Sequence, residues 1–376
     1  MVIKPPRKNK NPPFLSNEFI IQNHGDIVSC VAMVFVLGLM FQATSPIASV
    51  FIILQHAITT AESDQKKADY VVQYTNGALD WAAIFFYSLI AIVVHVILQE
   101  YALDKANRKL HLSKTRNSKF NEYGQLLLFA LFSVAWGLHI LFRDDSFTGL
   151  SSLWANYPED HTKLSFRLKF YFIIQIAYWL HTFPELYFQK VKREEMPARI
   201  TYACIHLVYI TAAYLLSLTR LGLVLLVLHY LSEGTLHASR LLHFAELTKQ
   251  SQQGFKTYNI MFVGLRLVSL IIAIITLVFG FGSLPAQGID IATGNFNSAI
   301  VRYACLVAVC ALQAYMMWNF LTFHLRKRRE RRAEIAAAQK KKQQLAKAAK
   351  KAAAKKGSDD EVALLPEVDQ NTRRRR

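Results

Sequence analysis

The feature that most constrains this chain is a series of apolar runs about 20 residues long, separated by short charged connections. At 1.5 Å of rise per residue, a helix of about 20 residues crosses a hydrocarbon core about 30 Å thick. Inside lipid every backbone N–H and C=O needs a partner within the chain, and a helix supplies one for each. Read against the charged punctuation, the runs resolve into eight spans at 27–54, 81–100, 123–142, 168–189, 200–218, 221–244, 258–282 and 299–324. The expected fold class is therefore an all-α polytopic membrane protein with about eight transmembrane helices. Hydrophobic residues make up 53% of the 376, and mean hydropathy stays at +0.20 despite 44 Lys and Arg, which excludes an ordinary soluble fold.

Two places test the division into spans. The first run is long and carries Pro46 near its far end, which points to a kink or an interfacial stretch. It follows 26 mostly polar residues without an early small-residue cleavage site and reads as a retained signal anchor. Only Leu218-Thr219-Arg220-Leu221-Gly222 separates the fifth and sixth runs, and a tight helical hairpin fits that gap better than one very long helix.

Basic residues set the orientation, because Lys and Arg are retained on the cytosolic side. With the N-terminus cytosolic, that face collects 34 of the 44, and the opposite face holds Lys66, Lys67, Arg143, Lys163, Arg167 and Arg220. Both termini are expected in the cytosol. The net charge of +18 is concentrated in loops and tail, since Arg326–Arg376 holds 18 basic and 7 acidic residues; no DNA partner is expected. Trp81, Trp179 and Trp318, with Tyr171, Tyr178, Tyr187 and Tyr315, fall near span ends, where amphipathic rings favour the headgroup layer.

The first 26 residues, with Pro5, Pro6, Pro12 and Pro13, read as a partly extended arm. From Glu330 to Lys356 the tail is rich in helix formers but lacks a wide apolar face. It reads as a solvated, partly helical spacer or as a contact for anionic lipid or ribosomal RNA, with Asp359-Asp360-Glu361 and Val362–Leu365 as a weak partner motif. Cys30, Cys204, Cys305 and Cys310 all fall in apolar runs without a CxxC pair, so buried, inert thiols are expected. No Asn-x-Ser/Thr occurs in Thr59–Leu79, and no N-linked glycan is expected.

Ionisable groups inside a bilayer are costly and point to function. His229, Glu233 and His237 recur at i, i+4, i+8 and share one helix face; His206, His181 with Glu185, and Arg266 lie in neighbouring spans. Such a set can do acid–base work on a lipid or hold a metal. Equally, it can be an interhelical hydrogen-bond cluster, with Arg266 paired to a carboxylate such as Glu233. No HExxH spacing, P-loop, GxGxxG or GxSxG occurs, and no metal or cofactor is expected beyond a bound phospholipid or sphingolipid. Nor does a pair of Gly/Pro-broken helices point to a transporter.

Particular strings are distinctive: Asn11-Pro12-Pro13 leading into Gln22-Asn23-His24-Gly25-Asp26-Ile27-Val28-Ser29-Cys30, then Gln99-Glu100-Tyr101 with Leu103-Asp104-Lys105. Ser118-Lys119-Phe120-Asn121-Glu122, the run from Tyr178 to Lys190, Leu221–Tyr230 and Thr293-Gly294-Asn295-Phe296-Asn297 follow in order. Through them the chain resembles the translocating chain-associated membrane protein family of the endoplasmic reticulum up to about residue 330. The resemblance implies a cytosolic basic arm at 1–26, two transmembrane helices with a lumenal loop at 27–100 and a cytosolic basic loop at 101–117. It further implies a six-helix TLC domain at 118–326, shared with ceramide synthases, and a basic tail at 327–376. The implied role is a non-enzymatic accessory of the Sec translocon in the endoplasmic reticulum membrane. Such a protein contacts signal sequences and transmembrane segments of nascent secretory and membrane polypeptides, with membrane lipids and, through basic segments, the ribosome as further partners.

The same resemblance tests an enzyme reading. Ceramide synthases carry a His-His pair in one TLC helix and His-Asp-x-x-Asp in the next; the corresponding positions here read His206-Leu207 and His229-Tyr230-Leu231-Ser232-Glu233. Leucine cannot move a proton and tyrosine is a poor base near neutral pH, so the acyl-transfer motifs are degraded. His206, His229 and Glu233 would then keep a polar lining for lipid or a passing helix. A TLC-type lipid enzyme and a non-catalytic lipid-binding regulator of the bilayer stay as alternatives.

Overall fold

A computed structural model describes residue 13 and residues 16–61, 70–144 and 147–363. The chain is an all-α polytopic membrane protein. Among the described residues, six helical stretches are long and apolar enough to cross a bilayer: 80–110, 116–143, 196–215, 219–244, 248–283 and 299–350. They contain α4 (Asp80–Leu98), α6 (Lys114–Arg143), α8 (Met196–Leu215), α9 (Thr219–Phe244), α10 (Thr248–Ile274) and part of α11 (Ala299–Ala363). Two of the eight apolar runs take other forms. The run at 168–189 is α7 (Phe166–Phe188), which is 23 residues long but carries Lys169, Gln175, His181 and Glu185. The first run divides into α2 (His24–Gly38) and α3 (Ser45–Ile52), preceded by the short α1 (Asn17–Gln22).

The break in that first run comes before Pro46. Thr44 donates its hydroxyl to the Gly38 carbonyl at 2.8 Å, and Pro46 sits in the first turn of α3, where its missing N–H leaves no intrahelical bond unmade. Helix also begins earlier than the arm predicts, because the Ser16 hydroxyl accepts from the Phe19 N–H at 3.2 Å and caps α1. Pro5, Pro6 and Pro12 of that arm, together with Lys66 and Lys67, lie outside the described residues, as do Leu364 and Leu365.

The connection between α3 and α4 contains an antiparallel pair, β1 (Ala57–Ala61) and β2 (Tyr70–Tyr74), paired from Ala57↔Tyr74 to Ala61↔Tyr70 and extended by a Tyr74↔Leu164 bridge. Its β-branched and aromatic content was the available signal, too short to stand out beside the apolar runs. Beyond α4 the chain continues through a π turn (Gln99–Leu103) into α5 (Asp104–Leu110), so the basic connection is itself helical.

The core is centred on α7. Tyr171, Phe172, Ile173, Ile176 and Ala177 are buried, packed with Phe129 and Ala130 of α6 and Leu223, Val227 and Tyr230 of α9. Helices α6 and α9 approach closely at Gly137, where an added Cβ would run into Val227, as membrane helices do through small residues. The α8–α9 hairpin turns at Leu216–Leu218, with Ser217 in the left-handed region at φ 55°, so Thr219 and Arg220 belong to α9.

Two sequence expectations change here. Trp179 and Tyr171 are buried and Tyr178 stacks on Phe129 inside the bundle, whereas Trp81, Tyr187, Tyr315 and Trp318 are exposed. The thiols are also not all hidden: Cys30 and Cys204 are exposed and Cys305 and Cys310 half-buried, all unpaired. In lipid an apolar residue need not be covered by protein, so hydropathy alone does not distinguish a core face from a lipid face. The tail to residue 350 is a solvent-exposed helix, and residues 311–363 form a unit distinct from the bundle that ends at Cys310.

At the end of the bundle where α4 and α7 start, Lys169 and Asp80 form an ion pair at 2.7 Å with both side chains almost wholly buried. Lys169 also donates to the carbonyls of Gln55 (2.8 Å) and Thr75 (2.7 Å), and Asp80 accepts from Tyr214 Oη (2.7 Å) and the Gly77 N–H (2.9 Å). Nearby, the connection after α6 folds over the α8–α9 hairpin. Arg220 donates to the carbonyls of Ser152 (2.8 Å) and Asp160 (3.2 Å), and His161 is held edge-on to Tyr157 and Phe281.

Removing one member of the Lys169–Asp80 pair leaves an uncompensated buried charge. Lys169→Ala should cost about 3–5 kcal/mol. The Asp80→Asn, Lys169→Met double variant should recover most of that; denaturation of purified protein in micelles measures both, and an equal loss in the double would contradict the account. Burial, with the positive Arg220 beside it, pushes His161 from its ordinary 6.5 down to about 3. Between those values the unfolded chain binds the extra proton, so stability falls as pH drops below about 6.5. His161→Gln should melt with a shallower loss of Tm than wild type between about pH 7 and 5.5.

Candidate functional site

Helices α8, α9 and α10 bring His206, His229 and Arg266 together in the bundle, against Trp179 of α7. His206 Nε2 and His229 Nε2 lie 3.0 Å apart. Arg266 Nη2 is 3.1 Å from His229 Nδ1 and 2.9 Å from Ser232 Oγ, and His206 Nδ1 is 2.8 Å from the Tyr202 carbonyl. These contacts fix the tautomers by elimination. A guanidinium only donates, so His229 Nδ1 accepts and its Nε2 carries the hydrogen. His206 Nε2 then accepts, and its Nδ1–H donates to the Tyr202 carbonyl, which can only accept. One directed chain runs from Arg266 through both imidazoles to the backbone. All four ring nitrogens are in use.

The surrounding side chains close this chain in. Trp179 stacks on His206 with centroids 3.9 Å apart, and its indole N–H donates to Tyr230 Oη at 2.9 Å. Tyr230 donates to Gln175 Oε1 (2.8 Å), and the Gln175 amide donates to Ser133 Oγ of α6 (2.8 Å). Tyr230 therefore bridges the histidine centre to a second polar strand across α6, α7 and α9.

The α9 face predicted from spacing is shared among several neighbours. His229 takes part in the chain above, whereas one turn on Glu233 meets His237 at 3.7 Å, and the His237 ring stacks on Tyr123 of α6 at 5.9 Å. The expected Arg266–Glu233 ion pair is replaced by the bonds to His229 and Ser232. Arg266 Nε is left buried without a hydrogen-bond partner. His181 and Glu185 lie in a different cluster towards the other end of α7, where Glu185 Oε1 is 3.2 Å from His95 Nε2 of α4. Among the described residues no group of three or more His, Cys, Asp and Glu side chains is arranged to hold a metal ion.

Sequence reasoning missed His95, Trp179, Gln175, Ser133, Tyr202 and Ser232. Gln175 and Trp179 stand four apart on α7 and so share a face, which was the one legible sign that this stripe turns inward. Ser133 and Ser232 look unremarkable in sequence, because small hydroxyls inside membrane helices usually bond to their own backbone.

A family model described as TLC domain matches residues 119–322. Translocating chain-associated membrane protein 2 of Mus musculus is 44% identical over 324 residues, covering 86% of this chain and 85% of that protein. The Homo sapiens protein of the same name is 42% identical over the same shares. This chain belongs to the translocating chain-associated membrane protein family. Ceramide synthase 4 of Mus musculus is 26% identical over 152 residues, 40% of this chain and 38% of that enzyme. The family members at 42–44% identity are named as translocating chain-associated proteins and not as enzymes.

If the centre chiefly packs helices, its loss is read as stability. Arg266→Met leaves His229 Nδ1 and Ser232 without their donor and should cost about 1–3 kcal/mol by denaturation in micelles. His139→Ala, at an exposed α6 position, should stay within about 0.5 kcal/mol of wild type.

Proposed function

We propose that the protein is a non-enzymatic accessory of the Sec translocon in the endoplasmic reticulum membrane, contacting signal sequences and transmembrane segments of nascent chains. The observation that carries the non-enzymatic half is the saturated histidine pair. A general base needs a free lone pair within reach of the proton that it takes. Here both Nε2 atoms face each other and both Nδ1 atoms have partners. Leu207 and Tyr230 replace groups with which a ceramide synthase would act, and Tyr230 is committed to Gln175 and Trp179. The translocon half rests on the family and on the name of its members.

Physically, a polar centre enclosed by membrane helices lets the bundle offer an incoming segment an environment between water and lipid. A marginal signal helix carries polar groups whose transfer into acyl chains is costly. In this reading His206, His229, Glu233, His237 and Arg266 set that polarity, a phospholipid or sphingolipid occupies the bundle surface, and both termini are cytosolic. The exposed basic helix over 326–350 would hold the protein near the phosphates of a ribosome.

Site-specific photocrosslinking of a short signal-bearing nascent chain in reconstituted vesicles tests the proposal. Adducts to this protein and reduced translocation on its omission are expected; no adduct with unchanged translocation refutes it. Purified protein given a sphingoid base and acyl-CoA should show no turnover. Turnover lost on His206→Ala would establish the enzyme reading instead.

A further inference from the structure

Two of the strings that mark the family, Gln22–Cys30 and Tyr178–Lys190, meet at one place that the reading above does not use. His24, the first residue of α2, stacks on Phe188 of α7 with centroids 4.5 Å apart, and Gly25 packs against Val96 of α4. Between these helices lies Glu185, a carboxylate 6% exposed. The Gln189 amide serves one side of it, donating to Glu185 Oε1 at 3.0 Å and to His95 Nε2 at 2.8 Å. Glu185 Oε2 is buried without any donor.

The neighbours supply acceptors where a donor is needed. His24 Nδ1 lies 2.9 Å from the Ile21 carbonyl, so it carries the hydrogen and leaves Nε2 as a lone pair, itself buried and unpartnered. His181, one turn before Glu185, has its Nδ1 on the Tyr178 carbonyl, which again makes Nε2 the lone pair. His24 is near enough to act electrostatically on both Glu185 and His95. A buried carboxyl oxygen without a donor, in a cluster with unpartnered imidazole nitrogen, calls for a positively charged group with several N–H donors. No metal-holding geometry occurs there among the described residues.

We propose that Glu185, with His24 and His181, binds the primary ammonium of an ethanolamine lipid headgroup at the junction of α2, α4 and α7. A primary ammonium offers three N–H donors, matching a carboxylate oxygen and imidazole lone pairs. The depth fits: Glu185 stands three residues before the end of α7 and His24 at the start of α2, helix ends at which headgroups are expected. His24 is half-buried, the most exposed of the three side chains, although its Nε2 is covered. This site is independent of the translocon reading and stands or falls alone.

Choline is the control that chemistry provides, since it keeps the charge and phosphate of ethanolamine but has no N–H. Full-length protein in nanodiscs of phosphatidylethanolamine, its mono- and dimethyl derivatives and phosphatidylcholine, all with one acyl composition, is released and its retained lipid counted by native mass spectrometry. Expected is about a tenfold preference for ethanolamine over choline lipid, falling with each methyl group. Glu185→Gln should abolish it. His24→Phe, which keeps the stack on Phe188 but removes the lone pair, should weaken it with little change in Tm. Equal retention of the two lipids, or a preference that persists in Glu185→Gln, overturns the proposal. So does displacement by a lysine-bearing signal peptide without any ethanolamine preference, which would assign the site to a client.

Discussion

The Lys169–Asp80 pair is the constraint around which one end of this bundle is arranged. An unpaired charge at such a depth would cost far more than any single apolar contact returns. It therefore imposes neighbours: the Gln55 and Thr75 carbonyls on the ammonium, and Tyr214 and the Gly77 N–H on the carboxylate. Those partners come from the connection between α3 and α4 and from α8. The β1–β2 pair lies between Gln55 and Thr75 in the chain, so it returns both carbonyls to one ammonium. One lysine in α7 thus ties the first two spans to the TLC helices, a junction that hydropathy gives no reason to expect.

The same logic explains what was legible in the sequence. Hydropathy locates helices because lipid leaves the backbone no alternative, and the apolar runs map onto α2–α4 and α6–α11, although α6 and α10 begin well before their runs and α11 continues far beyond its run to Ala363. It does not tell a helix face that meets protein from one that meets lipid, since both are apolar. Hence Trp179 and Tyr171 look interfacial in sequence but lie in the core, and Cys30 looks buried but is exposed. The first run looks continuous because the Thr44–Gly38 bond that supports its break involves no charged residue.

Of the candidate polar residues, spacing along one helix was legible and pairing between helices was not. The i, i+4, i+8 pattern found His229, Glu233 and His237, yet each meets a different set of neighbours. His206 and His229 are joined across α8 and α9 by geometry that no single-helix pattern encodes. Glu185 lies instead 3.2 Å from His95 Nε2, and the His181 ring sits 5.8 Å from that of His95, a residue that spacing does not single out.

What separates a histidine pair that reacts from one that packs is the direction of its hydrogen bonds. A donor-only guanidinium at one end of the chain and an acceptor-only carbonyl at the other allow one orientation of both rings while they stay neutral. Reversing it would set Arg266 N–H against His229 N–H and leave the Tyr202 carbonyl facing a lone pair. The arrangement is locked at both ends by groups that cannot exchange roles. Tyr230 extends the lock sideways, because its hydroxyl accepts from Trp179 and donates to Gln175, leaving its proton committed. An aspartate at that position could only accept, from Trp179 and the Gln175 amide alike, which would strip Ser133 of its donor or require Gln175 to turn over. Tyr230 thus supplies the donor that completes a closed network across three helices.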